Sequence, residues 1–168
     1  PLPLPRLARR HPALGRDMAD LIGCHLSIAG GVSRAAERAP EIGCTAFQVF
    51  TSNPRGWDSP PLAPDDVARF RELTGPELYP IAHMPYLPNF ASPDDSLYEC
   101  SVAVLKDELE RAGQLGAGYL VLHVGHRGSS SEEEAFSRVA AAINRACAAV
   151  TGTPLLLLEN TAGQGTEI

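Results

Sequence analysis

Short apolar runs alternate with longer mixed stretches along most of this chain. Residues 21–26, 46–50, 78–82, 119–122 and 154–158 are apolar runs of a length typical of buried strands. The stretches between them, residues 32–41, 64–73, 96–114 and 132–150, are predicted to be helices. The last helix opens with three glutamates, which suit a helix N-terminus, and it follows serines that can cap it.

The order of these elements predicts an α/β fold. Strict alternation of strand and helix implies a parallel sheet covered by helices, as in a doubly wound sheet or a TIM (β/α)8 barrel. No glycine-rich phosphate loop follows the first strand, which weakens the case for a nucleotide-binding doubly wound sheet. The favoured fold is therefore the TIM barrel, truncated after the fifth of its eight strands.

The chain divides into two unequal parts. Residues 1–17 hold four prolines and four arginines without any periodicity, and they are expected to be a disordered leader. A basic arm that contacts DNA is the alternative for this segment. Residues 18–168 are predicted to be the N-terminal five-strand portion of a single barrel domain.

Composition narrows the class of protein. Hydrophobic residues make up 44% of the chain and charged residues 20%, as in globular rather than disordered or fibrous proteins. No apolar run is long enough to span a membrane, and the first residues lack the apolar core of a secretory signal. The four cysteines form no C-x-x-C pair, so we expect reduced thiols and a cytoplasmic protein. The net charge of −6 argues against broad electrostatic binding to nucleic acid, although a bound metal ion can hold phosphate locally.

Polar side chains follow the predicted strands at the edge where barrel enzymes carry their catalytic groups. His83, His123 and Glu159 each stand at the end of an apolar run, about one strand–helix–strand repeat apart. A lone histidine is usually structural, but two histidines and a carboxylate at one rim favour a metal site, suited to zinc, manganese or iron. His25 and Asn53 also end strands, and we expect them to orient other ligands, with direct metal ligation as the alternative for His25.

Five segments carry a resemblance to a known family. They are G-C-H-L-S-I-A-G-G (23–31), F-Q-V-F-T-S-N-P-R-G-W (47–57), H-M-P-Y-L-P-N-F-A-S-P (83–93), L-H-V-G (122–125) and E-N-T-A-G-Q-G (159–165). In this order they resemble the endonuclease IV (deoxyribonuclease IV) family of apurinic/apyrimidinic endonucleases. The resemblance extends over residues 21–168, and the last segment is its most specific part.

The resemblance implies a DNA repair function. Members hydrolyse the phosphodiester on the 5′ side of an abasic nucleotide in double-stranded DNA, using up to three Zn²⁺ ions, with Mn²⁺ possible. It assigns His83, His123 and Glu159 as metal ligands, with Glu159 bridging two ions in the catalytic centre. It also implies that Arg55, Tyr86 and Leu87 contact DNA, and that the complete enzyme is a monomer.

The sequence also departs from the family. Val124 stands where members usually have proline, and Arg127 where histidine is common, so the geometry of this loop is expected to differ. The remaining family ligands belong to strands beyond residue 168, so we expect residues 1–168 alone to bind metal weakly and to be inactive.

Two other functions remain open. One is a metal-dependent sugar isomerase or epimerase of the xylose-isomerase-like barrel group, which shares the barrel and the metal rim. The other is a truncated product without activity. Cleavage of an abasic duplex, compared with isomerisation of a ketose, would distinguish the first from the endonuclease.

Overall fold

The computed structural model describes residues 21–152, 154–161 and 165–168, which form four helices and four strands. In chain order these are α1 (Val32–Glu41), β1 (Ala46–Phe50), α2 (Pro64–Leu73), β2 (Tyr79–His83), α3 (Asp95–Leu115), β3 (Tyr119–His123), α4 (Glu132–Ala149) and β4 (Leu155–Glu159). The predicted leader, residues 1–17, lies outside the described residues. Among the described helices, none is both long and apolar enough to cross a membrane.

The four strands form one parallel sheet in the order β1-β2-β3-β4. Each strand lies beside the one that precedes it in sequence, with a helix in every connection after β1. Because such crossovers are right-handed, an unreversed strand order places all the helices on one face of the sheet. A doubly wound sheet requires a reversal of strand order. The topology is therefore that of a segment of a barrel wall.

The first predicted strand, residues 21–26, is not a strand in the structure. The segment runs parallel to β1 and makes a single bridge, between His25 and Gln48. Its hydrogen bonds are irregular, since the carbonyl of Ile22 accepts from the amides of both Thr45 (2.9 Å) and Ala46 (3.2 Å). Two donors on one carbonyl interrupt the even spacing of a parallel ladder. The described sheet thus has four strands and a bridged segment, where five strands were predicted.

Alternate side chains of the sheet point to opposite faces. Leu120 and Leu122 of β3 pack with Leu105 and Leu109 of α3 in a core from which water is excluded. A second cluster of buried side chains joins β1 to α1 and α2, and it includes Val32, Ala36, Phe47, Val49 and Phe70. These strand side chains face the helices. The side chains that alternate with them, including those of Phe50, His83 and His123, therefore point to the opposite face.

The N-terminus of α1 is capped from outside the helix. Gly31, which precedes α1, has no side chain to cap it. Asp66 in the first turn of α2 accepts hydrogen bonds from the amides of Val32 (2.7 Å) and Ser33 (3.1 Å) instead. Its carboxylate satisfies two amides that have no partner within the helix, so Asp66 fixes α1 against α2.

Candidate metal centre

Three side chains meet at the carboxyl edge of the sheet. His83, His123 and Glu159 are the last residues of β2, β3 and β4. Parallel register places His123 directly beside Glu159. The Nε2 atoms of His83 and His123 lie 3.1 Å and 3.5 Å from Oε2 of Glu159, and one ligand atom from each residue lies within 4.8 Å of the others. The structure thus brings together the three residues that the sequence singled out as ligands.

This donor set fits a divalent metal ion. Ligand atoms of a tetrahedral zinc, with bonds of about 2.0–2.1 Å, lie about 3.3 Å from one another. The two nitrogen–oxygen distances lie close to that value. Nδ1 of His83 is 2.7 Å from the carbonyl oxygen of Met84, to which it can only donate, so Nε2 is the ring nitrogen that faces the other two candidate ligands. His83 is buried, whereas the Glu159 side chain is 45% exposed, so the site opens on the side of β4.

Aromatic rings surround the histidines. The ring of Phe50 packs edge-on against His83 with centroids 5.5 Å apart, and that of Tyr86 lies 6.1 Å from His83 and 6.2 Å from His123. His25 lies in the same group, 6.0 Å from His83, but its Nδ1 is hydrogen-bonded to Oε1 of Gln48 (2.8 Å). His25 therefore lies beside the candidate ligand His83, while its Nδ1 is hydrogen-bonded to Gln48 of β1.

Two loops rise beside the site and are joined to each other. The loop after β1 carries the exposed Arg55 and Trp57, and the loop after β2 carries Tyr86 and Leu87. The amide of Tyr86 donates to the carbonyl of Pro54 (3.1 Å), and Tyr86 as a residue is 62% exposed. The three residues expected to contact DNA thus lie on adjoining loops at the carboxyl edge.

Asn53 forms hydrogen bonds within its own loop. Its Oδ1 accepts from the amide of Arg55 (3.1 Å), and its carbonyl accepts from the amide of Gly56 (3.2 Å). These bonds close a tight turn that presents Arg55. The expectation that Asn53 orients a metal ligand has no support from these contacts.

A cleft of about 280 Å³ opens next to His123, and Tyr86, Leu87 and Thr161 line part of it. The buried side chain of Asn89 fixes its floor by donating to the carbonyl of His126 (2.9 Å) and accepting from the amide of the same residue (3.1 Å). Gly125 has φ 101°, and a Cβ there would lie 2.1 Å from Oδ1 of Asn89. Only glycine allows this loop to approach Asn89 so closely.

A buried polar network beneath the β1–α2 loop is absent from the sequence predictions. Glu108 of α3 is 1% exposed and Arg111 is 5% exposed. Burial raises the pKa of Glu108, and this outweighs the opposing effects of hydrogen bonds from Ser52 and Thr51 and of the charge of Arg111. Thr51 and Ser52, which directly follow β1, therefore turn toward α3 rather than toward the rim.

Spacing along α3 carried a signal for this network. Glu108 stands at intervals of three and four residues in a series of buried positions on α3, namely Ser101, Leu105, Glu108, Ala112 and Leu115. A glutamate on the buried stripe of a helix requires a partner. No comparable sequence signal marks Asn89.

Comparison with known proteins identifies the family. The xylose isomerase-like TIM barrel family matches residues 36–168, and the chain belongs to that family. More particularly, it is 50% identical over 147 residues to a protein of Methanoculleus marisnigri named "Probable endonuclease 4", a match that includes 86% of this chain and 52% of the relative. A protein of Cenarchaeum symbiosum with the same name is 43% identical, and the match includes 85% of this chain and 52% of the relative.

Solved structures agree with this assignment. Endonuclease IV from Thermus thermophilus superimposes with a TM-score of 0.73 at 39% identity, over 88% of this chain and 55% of that one. A D-tagatose 3-epimerase-like protein gives a TM-score of 0.65 at 17% identity, over 88% of this chain and 56% of that one, which shows a shared fold alone. The predicted barrel class and the family resemblance are confirmed, and the chain spans about half the length of the curated relatives it matches.

Proposed function

We propose that this protein is a metal-dependent endonuclease that hydrolyses the DNA phosphodiester 5′ to abasic sites. The observation that carries the proposal is the convergence of His83, His123 and Glu159 at one rim. It occurs in a chain that is 50% identical to a relative named as an endonuclease. Fold similarity alone would not support an activity, because barrels host many chemistries.

The three side chains have distinct parts in this proposal. His83 and His123 would hold a zinc ion through Nε2, and Glu159 would hold it through a carboxylate oxygen. When bound, such ions supply Lewis-acid stabilisation of the charge that develops on the phosphate oxygens. The Nδ1 contact of His83 with Met84 keeps the ring in the orientation that binding requires.

The adjoining loops supply the DNA contacts in this proposal. Arg55 offers a planar cation for phosphate, and Tyr86 with Leu87 offers apolar surface beside the space left by a missing base. An abasic nucleotide would be turned out of the duplex toward the rim, because an enzyme acting on one nucleotide must expose it. With a net charge of −6, recognition depends on this local surface rather than on the overall charge.

The exposure of these loops favours a polymer over a small sugar as the substrate. Arg55, Trp57 and Tyr86 are exposed on the loops at the rim. Small-molecule sites bury roughly 70–90% of their ligand within a closed pocket. An exposed surface of one cation and two aromatic rings is better suited to a nucleic acid that extends past the site.

The test is an endonuclease assay on a duplex with one abasic site, labelled at its 5′ end. Since the chain spans about half the length of its relatives, the assay compares residues 1–168 with a form completed to that length. We expect zinc-dependent cleavage 5′ to the lesion by the completed form, stopped by a chelator and by Glu159→Gln. We expect no cleavage by residues 1–168. Ketose isomerisation without DNA cleavage would contradict the proposal.

A further inference from the structure

We propose that Glu108 and Arg111 of α3 are positioning residues that hold the loop of residues 51–60 in place and thereby set the affinity for abasic DNA. The inference rests on the proposed function, because this loop carries Arg55. Neither residue is among the candidate metal ligands or the expected DNA contacts. Their effect would be exerted through the backbone of the loop.

Hydrogen bonds from α3 reach both ends of this loop. Arg111 donates through Nε (3.1 Å) and Nη2 (2.7 Å) to the carbonyl of Thr51, and through Nη1 to the carbonyl of Pro60 (3.0 Å). The hydroxyl of Thr51 donates to Oε2 of Glu108 at 2.6 Å. One planar guanidinium therefore spans the beginning and the end of the loop, which a lysine ammonium could not do in the same geometry.

Burial distinguishes these contacts from an ordinary surface ion pair. Glu108 and Arg111 are almost entirely excluded from water, and Asp107 lies 3.9 Å from Nη1 of Arg111 at the margin. Buried charges are weak contributors to net stability, because desolvation offsets most of their attraction. Replacement of buried charges by apolar residues of similar volume is often neutral or stabilising, whereas Glu108 and Arg111 hold a particular geometry of the loop through their hydrogen bonds to it.

Fixing the loop has a consequence for binding. The segment between the two anchored carbonyls presents Arg55 and Trp57 to solvent. A loop already held in its bound conformation loses less conformational entropy on association than a mobile loop does. Release of the anchors would therefore weaken DNA binding while leaving metal binding, on the ends of β2 to β4, unchanged.

The chain contains a built-in reporter for this loop, because Trp57 is its single tryptophan. The first experiment measures acrylamide quenching of Trp57 fluorescence in residues 1–168 carrying Arg111→Lys, and separately Thr51→Val, which removes one hydroxyl donor. Exposed residues supply matched controls, Arg145→Lys for the arginine change and Glu110→Gln for a change on α3. We expect the quenching constant of Trp57 to rise in Arg111→Lys and in Thr51→Val and to stay at the parent value in the two controls.

The second experiment measures abasic-duplex affinity and cleavage in the form completed to the length of the relatives. We expect the dissociation constant of Arg111→Lys to rise about tenfold, within the range of couplings carried by such networks. The zinc content and kcat should remain at the parent values.

The outcomes separate the two proposals. Unchanged Trp57 quenching in both variants would overturn the positioning role, and so would increased quenching with unaltered DNA affinity. If the parent protein itself fails to bind abasic DNA, the proposed function fails, whereas Trp57 quenching still decides whether α3 holds the loop.

Discussion

At His83 one hydrogen bond decides which ring nitrogen is available for a ligand. Nδ1 faces the carbonyl of Met84, and Nε2 faces Glu159. The backbone carbonyl cannot donate, so the ring must carry a proton on Nδ1. Nε2 is therefore the His83 nitrogen that would meet an ion at the proposed site, and the contact with Met84 fixes the ring in that orientation.

Removal of one candidate ligand should weaken metal binding strongly. We expect His123→Ala to lower zinc affinity by more than the roughly 10- to 100-fold that loss of an outer hydrogen-bond partner costs. Titration of zinc against a competing chromophoric chelator measures the change. His126→Ala is the matched control, since His126 lies in the loop that follows β3 and outside the candidate ligand group. Equal losses in both variants would argue against the assigned ligands.

The close contact of Gly125 with Asn89 leads to a second prediction, which concerns the stability of the fold. Gly125→Ala combines a positive φ with a Cβ placed against a buried side chain, and it should destabilise the fold by about 2–4 kcal/mol. Gly152→Ala is the control, because φ is 70° there and no atom lies within 4 Å of the added Cβ. It should cost about 1 kcal/mol from backbone strain alone. Urea denaturation measures both, and equal losses would show that the contact with Asn89 is unimportant.

Residues differ in how far the sequence reveals their positions. The convergence of His83, His123 and Glu159 at one rim was predictable because each follows an apolar run, and parallel strand ends meet at one edge. The partners of Arg111 were not, since Thr51 and Pro60 are 60 and 51 residues away in sequence. Which carbonyls a buried guanidinium meets depends on helix packing, and no local pattern encodes it.

Among the elements, α1 depends on its neighbour for its N-terminal cap. We expect Asp66→Ala to destabilise the fold by about 1 kcal/mol, as loss of a helix cap does. Asp65→Ala is the control, because Asp65 is exposed in the same turn of α2. Thermal or urea unfolding of the two variants provides the comparison. A loss of equal size in both would assign the effect to the charge at the start of α2.

The contribution of this Asp66 cap to the stability of the fold should depend on pH. Burial acts to raise the pKa of Asp66, but hydrogen bonds from Ser33 and Val32 outweigh it and hold the pKa below its ordinary value. A lowered folded-state pKa contributes stability above the unfolded value, and this contribution is lost as pH falls through the folded value. The stability difference between parent and Asp66→Ala should therefore shrink in acid. A difference that is constant down to the acid transition would contradict this.

Element boundaries were largely predictable, with one exception. The predicted helix over residues 96–114 extends by one residue at each end in α3, where Asp94 caps the first turn and Gly116 ends the helix in a left-handed conformation. Residues 21–26 have the composition of a strand but form only a bridge, because ladder formation depends on the hydrogen-bond register that the neighbouring strand offers. Composition does not report that register.

For the whole molecule, the candidate metal site ties three strands together. An ion bound only by the folded chain stabilises it, by about 2.7 kcal/mol when free zinc is 100 times the dissociation constant. We expect the thermal midpoint of residues 1–168 to rise with zinc and to fall again with a chelator. The double variant His83→Ala/His123→Ala should show no rise. The same rise in that variant would place the stabilising zinc elsewhere, for example on cysteine thiols.

The run of leucines in β4 affects how well the register of β4 on β3 is specified. Leu155, Leu156, Leu157 and Leu158 precede Glu159, and three of them are exposed. A shift of one residue along β3 would replace leucine by leucine at most positions but would move Glu159 to the opposite face. Hydrophobicity therefore discriminates poorly between the two alignments, and an ion held with His83 and His123 would select the one observed. Hydrogen exchange of the β4 amides should then slow on zinc binding more than that of β1, as a slipping strand becomes locked.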